Sequence, residues 1–461
     1  MKNVTIFLTI CFIAFSCKTP PKDVVKVDDF DRIKESGELN IITLSSSTSY
    51  FIYKDEPMGY DYELCKDFCD EHGLTLNVKV AENQTKLLEM LANGEGDLVA
   101  YGMAVRNEMK DSVIYCGLEQ VSHQVLVQSA NRGDTLVKDV PDLIGKEVYV
   151  MHNTKYNTRL ENLNAELGGG IIIKDVEKDT ITTEDLIEMV SKKEIRYTVS
   201  DEHIAMLNKT YYRNIDISVP ISGDQRSSWV VRKDTPKLAE ALDRWFRENG
   251  NTPVYKSITK KYFELSKVGP DEDNYLGSVE IPKGHLSPYD SLFQAYAQAA
   301  DLDWKLLVAI AFHESRFRND VSSWAGAVGL MGLMPGTAKA MGIDPGERTN
   351  PEMNIKAGTK LIVTLDKMFR SIEDPHERMK FVLASYNGGN GHISDARALA
   401  RKYGANPNVW DGNVEKYIQL KSVPEYYNDP VCKNGYFRGT ETIAYVGKVI
   451  SKWNSYKSTD G

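Results

Sequence analysis

The chain has 461 residues, 42% of them hydrophobic and 26% charged, with 56 Lys and Arg against 65 Asp and Glu for a formal net charge of -9. That length and apolar content suffice for two or three domains with cores of their own and exclude disorder on a large scale. The acidic balance, with both signs interspersed, excludes a nucleic-acid partner, because phosphate binding needs clustered Lys and Arg.

Residues 1–21, MKNVTIFLTICFIAFSCKTPP, place one early Lys before an apolar run from Val4 to Phe15, followed by Ser16, Cys17 and a polar, Pro-containing stretch. The run is too short for a spanning helix, which needs about 20 apolar residues, and reads as the hydrophobic part of a signal peptide over residues 1–17. Its end, Ala14-Phe15-Ser16-Cys17, resembles a bacterial lipobox, although Phe15 stands where a small residue is often found. The resemblance implies lipidation of Cys17 and a body held by its lipid at the periplasmic face of an outer membrane. An ordinary signal peptide with an incidental Cys is the alternative. Of the remaining cysteines, Cys65, Cys69, Cys116 and Cys432 lack metal-site spacing. They read as small buried apolar side chains, with a disulfide through Cys116 left open.

From about residue 28 to 264, strand-like runs alternate with helical stretches. ELNIITLS, LTLNVKVA, GDLVAYGM and HQVLVQ are β-rich, whereas YELCKDFCDEHG and QTKLLEMLANGEG have helical apolar spacing and end in Gly. A second set follows in IGKEVYVM, TEDLIEMVSKKE, IRYTVSDEHIAMLN, SSWVVRKD and TPKLAEALDRWFREN. Such alternation predicts a two-lobed α/β domain with a cleft between the lobes. The blocks MGYDYELCKDFCDEHGLTLNV, GEGDLVAYGMAVRNEMKDSVIY, LIGKEVYV and VVRKDTPKLAEALDRWF resemble family 3 extracellular solute-binding proteins, the periplasmic amino-acid binders. That family clamps a ligand carboxylate with a Thr and, three residues on, an Arg; the matching positions here are Arg106 and Met109. Met cannot make a bidentate guanidinium contact, which leaves Arg106 as the candidate ligand-cleft residue and argues against a free amino acid. A muropeptide or small peptide is the expected ligand. A lobe pair that has lost its ligand and only positions its neighbour is the alternative.

Residues 265–288 are rich in Gly, Pro and charge and read as a linker. Beyond them helices dominate, in YDSLFQAYAQAADL, WKLLVAIAFHESRF, NIKAGTKLIVTLDKMF, ERMKFVLASYNGG, HISDARALARKYG and TETIAYVGKVISKW, which predicts a mainly α domain over 289–456. In the second of these, Trp304, Leu307, Val308 and Ala311 form an inward stripe, and Glu314 falls four after Ile310 and three after Ala311. Helical spacing puts its carboxylate on or near the buried face, where desolvation raises a pKa and suits an acid that must stay protonated. A buried ion pair with Arg316 or Arg318 is the bland reading. SWAGAVGLMGLMPGTA holds Gly326, Gly329, Gly332 and Gly336 and reads as a close-approach loop lining a groove. ASYNGGNG ends a helix with Tyr386 and Asn387 at its mouth, and ETIAYV sets Glu441 and Tyr445 four apart.

Together, Glu314-Ser315-x-Phe317, Gly329 to Pro335, Ser385 to Gly391 and Glu441 to Val446 resemble the four motifs of family 1 lytic transglycosylases, lysozyme-like enzymes that cleave peptidoglycan. Gly332 replaces the family Gln and Ser385 the family Ala. Hydrolases of the usual kind need two carboxylates, and these motifs supply one at the reaction centre. The resemblance therefore implies that Glu314 protonates the oxygen between N-acetylmuramic acid and N-acetylglucosamine, then takes the proton of the muramic acid 6-hydroxyl as that oxygen closes a 1,6-anhydro ring. It implies glycan contacts from Ser315, Met331, Met334, Tyr386, Asn387 and Tyr445, and requires neither cofactor nor metal. The alternatives are a hydrolytic muramidase, with Asp320 or Glu441 as second carboxylate, and an inactive glycan-binding sensor.

Overall fold

A computed structural model of the chain describes residues 29–177, 181–267 and 279–458. The expected signal segment with Cys17 and residues 268–278 of the expected linker lie outside the described residues.

The first lobe opens with α1 (Asp29–Ser36), β1 (Glu38–Leu44), the short hairpin of β2 (Phe51–Tyr53) and β3 (Glu56–Met58), α2 (Tyr60–His72), β4 (Thr75–Ala81), α3 (Gln84–Ala92), β5 (Leu98–Ala104) and β6 (Val113–Ser122). The chain then passes directly into a second lobe of β7 (Gln124–Ser129), β8 (Glu147–Met151), α4 (Lys155–Glu166), β9 (Ile172–Val176), α5 (Thr183–Ser191), β10 (Tyr197–Asp201), α6 (Glu202–Tyr211) and β11 (Ile215–Pro220). It returns through β12 (Gln225–Arg232), α7 (Pro236–Asn249) and α8 (Pro253–Phe263). The first sheet has the order β4-β1-β5-β12-β6, the second β11-β7-β10-β8-β9, so two chain crossings join the lobes.

Reading SSWVVRKD and TPKLAEALDRWFREN as part of the second set is corrected here. β12 lies antiparallel between β5 and β6 of the first sheet, and Trp229, Val231, Leu238 and Trp245 are buried in the first-lobe core. A sheet gap filled from more than a hundred residues away leaves no local signature, because strand pairing is set by register and burial rather than by chain order. On α2, Leu64, Cys65, Phe68 and Cys69 form the buried stripe, and Gly73 closes the helix in the left-handed conformation at φ 67°. The four described cysteines are free, three of them buried as small apolar side chains.

The second domain is helical: α9 (Asp290–Ala300), α10 (Trp304–Ser315), α11 (Pro335–Met341), α12 (Pro351–Met368), α13 (Pro375–Gly388), α14 (Asn390–Lys402), α15 (Glu415–Leu420), α16 (Pro424–Tyr427) and α17 (Gly439–Lys457). α10 is its axis, N-capped by Asp303, and every residue from Lys305 to Ala311 is buried. An apolar stripe does not distinguish one face of this helix, since the whole turn sequence is enclosed by α9, α17 and the 323–334 loop. The position of Glu314 at the end of that enclosed helix is what carries it to a reaction centre. Among the described residues no helix is long and apolar enough to cross a membrane.

Candidate active site

α10 ends abruptly. Arg316 and Phe317 are both left-handed, with φ 53° and 65°, and two consecutive non-glycine residues in that region store strain that packing must hold. This turn brings the Glu314 side chain, about 10% exposed, against the 323–334 loop. The backbone of Gly332 lies under the carboxylate: a Cβ built there would sit 2.2 Å from Glu314 Oε2, so the acid occupies the space a side chain at 332 would take. Tyr386 and Tyr445 complete the surroundings. The Tyr386 hydroxyl donates to the Met331 carbonyl at 2.5 Å, while the Tyr445 hydroxyl is buried without a partner among the described residues. Burial, and then the neighbouring Glu314 carboxylate, push both phenols well above their ordinary pKa.

Three residues expected to contact glycan have buried side chains in this structure. Ser315 is fully buried, and its hydroxyl donates to the carbonyls of Ala311 and Leu330, tying the helix end to the loop. Met331 is fully buried in the domain core beside Gly358; its carbonyl, not its thioether, meets Tyr386. Met334 packs into the first-lobe core with Ala325 and Ala327. Asn387 stands at the mouth of α13, where its side-chain oxygen accepts from the Thr442 hydroxyl at 2.7 Å.

What the sequence reading missed is the group that meets Glu314. The β2–β3 hairpin of the first lobe enters the groove, and Lys54 Nζ lies 3.4 Å from Glu314 Oε2, with both side chains about nine-tenths buried. The neighbouring tip residues use the helix termini around the acid. Asp55 accepts from the backbone N–H groups of Asn390 and Gly391, both at 3.0 Å, at the start of α14. Glu56 accepts from Gly336 N–H at 2.7 Å at the start of α11. Anionic side chains at exposed helix N–H groups satisfy donors that have no intrahelical partner. Gly389 allows the approach, because a Cβ there would be 2.7 Å from the Asp55 nitrogen. His392 Nε2 bonds the Ile52 carbonyl at 2.9 Å, and Tyr53 packs on Trp324 with ring centroids 5.3 Å apart. Positive φ at both Lys54 (49°) and Asp55 (62°) marks a mirror-image hairpin turn. Lys-Asp is a poor sequence for such a turn, so the sequence alone does not announce it.

Residues 39–265 match the family "Bacterial extracellular solute-binding proteins, family 3", and residues 291–409 match "Transglycosylase SLT domain". A protein of Desulfosudis oleivorans named membrane-bound lytic murein transglycosylase F is 33% identical over 92% of this chain and 91% of its own. The chain belongs to the membrane-bound lytic murein transglycosylase F family. A Pseudomonas fluorescens protein of the same name is 30% identical over 92% of this chain and 86% of its own. The fold agrees: a solute-binding-like two-lobed α/β module precedes a helical transglycosylase domain.

Within this family architecture, Arg106 is exposed at the end of β5, and its backbone N–H donates to the Tyr115 hydroxyl. It is not among the residues lining the cavity of about 750 Å³ between the lobes. Asp320, one rival second carboxylate, is exposed and pairs with Arg318. Glu441, the other, is half-buried, with its Oε1 enclosed and without a hydrogen-bond partner among the described residues. Burial raises its pKa to about 7, against the opposing pull of Arg438 and Lys267. Burial likewise lowers Lys267 to about 7, against the upward pull of Glu441.

Proposed function

We propose that the chain is a lipid-anchored peptidoglycan lytic transglycosylase whose described conformation is a resting one, with the β2–β3 hairpin in the place of the glycan. The observation that carries this reading is the burial of one carboxylate, Glu314, among Tyr386, Tyr445 and the Gly332 backbone, with its charge met by Lys54. When glycan replaces the hairpin and Lys54 withdraws, Glu314 takes up a proton from solvent and gives it to the glycosidic oxygen, and the bond from that oxygen to the muramic acid C1 breaks. The 6-hydroxyl oxygen forms a bond to the same C1, and its proton returns to Glu314, so no water is consumed. Inverting or retaining hydrolysis needs a second carboxylate across the bond. The surroundings of Asp320 and Glu441 favour transglycosylation over that alternative.

Cys17 as the lipidated residue and the outer membrane as the anchoring site remain the reading of the N-terminal segment. They are consistent with relatives named membrane-bound. The N-terminal module senses a cell-wall fragment of muropeptide or small-peptide type. Mass spectrometry of digested sacculi tests the reaction: ends one water lighter than reducing ends are expected, and their loss with Glu314→Gln. Reducing ends instead would establish hydrolysis.

A further inference from the structure

The 323–334 loop carries one side chain that the catalytic domain positions and the N-terminal module covers. Trp324 is half-buried, and three side chains of that module meet its indole. The Tyr53 ring has its centroid 5.3 Å away with its plane tilted by 51°, and the Tyr262 ring stands edge-on at 6.3 Å and 70°. Lys267 Nζ lies 4.7 Å from the ring centroid, on a face whose π electrons attract positive charge.

Ala325, Ala327 and Met334 also pack against the first lobe, but the hydrogen bonds that shape the turn lie within the catalytic domain. Ser323 N–H donates to the Ala327 carbonyl at 2.8 Å, and Ala327 N–H donates back to the Ser323 hydroxyl at 3.0 Å. Val328 and Leu333 exchange backbone hydrogen bonds at 3.0 and 3.1 Å. Asn354 of α12 fastens the far side: its side-chain oxygen accepts from Met331 N–H at 2.7 Å, and its amide donates to the Val328 carbonyl at 3.1 Å. Trp324 therefore keeps its place when the first lobe withdraws, and its ring is then bared.

Two observations put that ring in the groove of the acid. It belongs to the loop whose Gly332 backbone lies under Glu314, and its partner Tyr53 immediately precedes Lys54, which meets the Glu314 carboxylate. The Tyr53 phenol feels the same site: burial, and then the Glu441 and Glu314 carboxylates, hold it well above its ordinary range. An indole suits a sugar there, because one face of a pyranose presents C–H groups of slight positive charge to a negative π face.

We propose that Trp324 is a glycan-stacking residue, which in the working enzyme carries the face of an N-acetylated sugar of the strand where Tyr53 lies in the resting one. The exchange with Tyr53 rests on the hairpin standing in the place of the glycan; the stacking itself does not. Trp324 reaches no reacting atom, so it acts on substrate binding and not on the chemical step.

The test is steady-state turnover of soluble, uncrosslinked peptidoglycan strands by the full-length protein, wild type and Lys54→Met, each with Trp324 intact or changed. On the Lys54→Met background Trp324→Ala should raise KM about tenfold with kcat within about twofold, while Trp324→Phe stays within about threefold of the parent KM. Trp324→Leu keeps apolar packing against the first lobe but has no ring. It should match Ala, and it stands in for Ala if that variant misfolds. An unchanged KM in both Ala and Leu variants, equal KM for Leu and Phe, or a fall in kcat alone would overturn the stacking. Unchanged KM together with faster turnover on the wild-type background would make Trp324 only a fastening of the resting state. If Lys54→Met leaves turnover as it was while the KM pattern persists, the stacking stands and the hairpin block is rejected.

Discussion

The N-terminal module touches the catalytic domain in two places built on opposite principles. At the first lobe, the β2–β3 hairpin offers Lys54, Asp55 and Glu56 to an acid and two helix starts. Each of these partners is a group that also suits a sugar or water, so the contact can be exchanged without leaving anything unsatisfied. At the second lobe, one guanidinium is stacked and hydrogen-bonded into a preformed pocket, and Arg438 and Glu184 are each more than four-fifths buried. Little replaces that from solvent except another cation. The comparison separates two tasks: the hairpin blocks chemistry, and the arginine holds the block in place.

The largest effect should come from the blocking contact. Lys54→Met leaves the Glu314 carboxylate buried without its counter-charge, and breaking a buried pair from one side costs on the order of 3 kcal/mol. The closed arrangement should lose that much, raising turnover of isolated sacculi without effector up to about a hundredfold. Turnover equal to wild type would mean the hairpin does not limit access. Glu314→Gln on this background should return turnover to nothing, which separates release of the block from loss of the acid.

Next in size is the acid at the holding contact. Glu441 has its pKa raised to about 7 in the fold from an ordinary 4.5. Its contribution to stability is therefore complete below pH 4.5 and is lost as pH rises toward 7, because the unfolded chain ionises first. Lys267, lowered to about 7, has the opposite slope between 7 and its ordinary 10.5. Glu441→Gln isolates the first of these. Wild type should fall behind the variant between pH 4.5 and 7, by at most roughly 3 kcal/mol, read as the difference in urea midpoints. A difference independent of pH would place Glu441 in contact with solvent.

A smaller change sharpens the hairpin side. Asp55→Ala removes the carboxylate from the α14 start, a capping loss of about 1 kcal/mol, and should raise turnover several-fold without altering cleavage products. An effect as large as that of Lys54→Met would move the weight of the block from the ion pair to the helix terminus.

How much of this was legible differs between the two halves of the site. Glu314, Tyr386 and Tyr445 are close in space because four motifs lie on α10, α13, α17 and one loop, and those helices announced themselves by spacing. For Ser315 and Met331 the motif gave identity but not direction: one hydroxyl donates to two carbonyls, and one thioether faces the core. The hairpin could not be found from the sequence, since its partners lie some 260 to 340 residues away. Arg438 was invisible for the same reason. An arginine beside a helix start says nothing of a pocket in another lobe until Glu184, Asn208 and Tyr212 are seen around it.

The smallest prediction tests the ground between the two contacts. Ser385 stands where the related transglycosylase motif has Ala, immediately before Tyr386 on α13; its hydroxyl is buried and has no partner among the described residues. A buried hydroxyl without a hydrogen bond is costly, so Ser385→Ala should be neutral or stabilising by up to about 1 kcal/mol. It touches neither Lys54 nor Arg438, so effector-free turnover should stay at the wild-type level, and in combination with Lys54→Met the two changes should add. A loss of more than about 1 kcal/mol would show instead that the Ser385 hydroxyl is hydrogen-bonded in the fold, so that the serine stabilises α13 beside Tyr386.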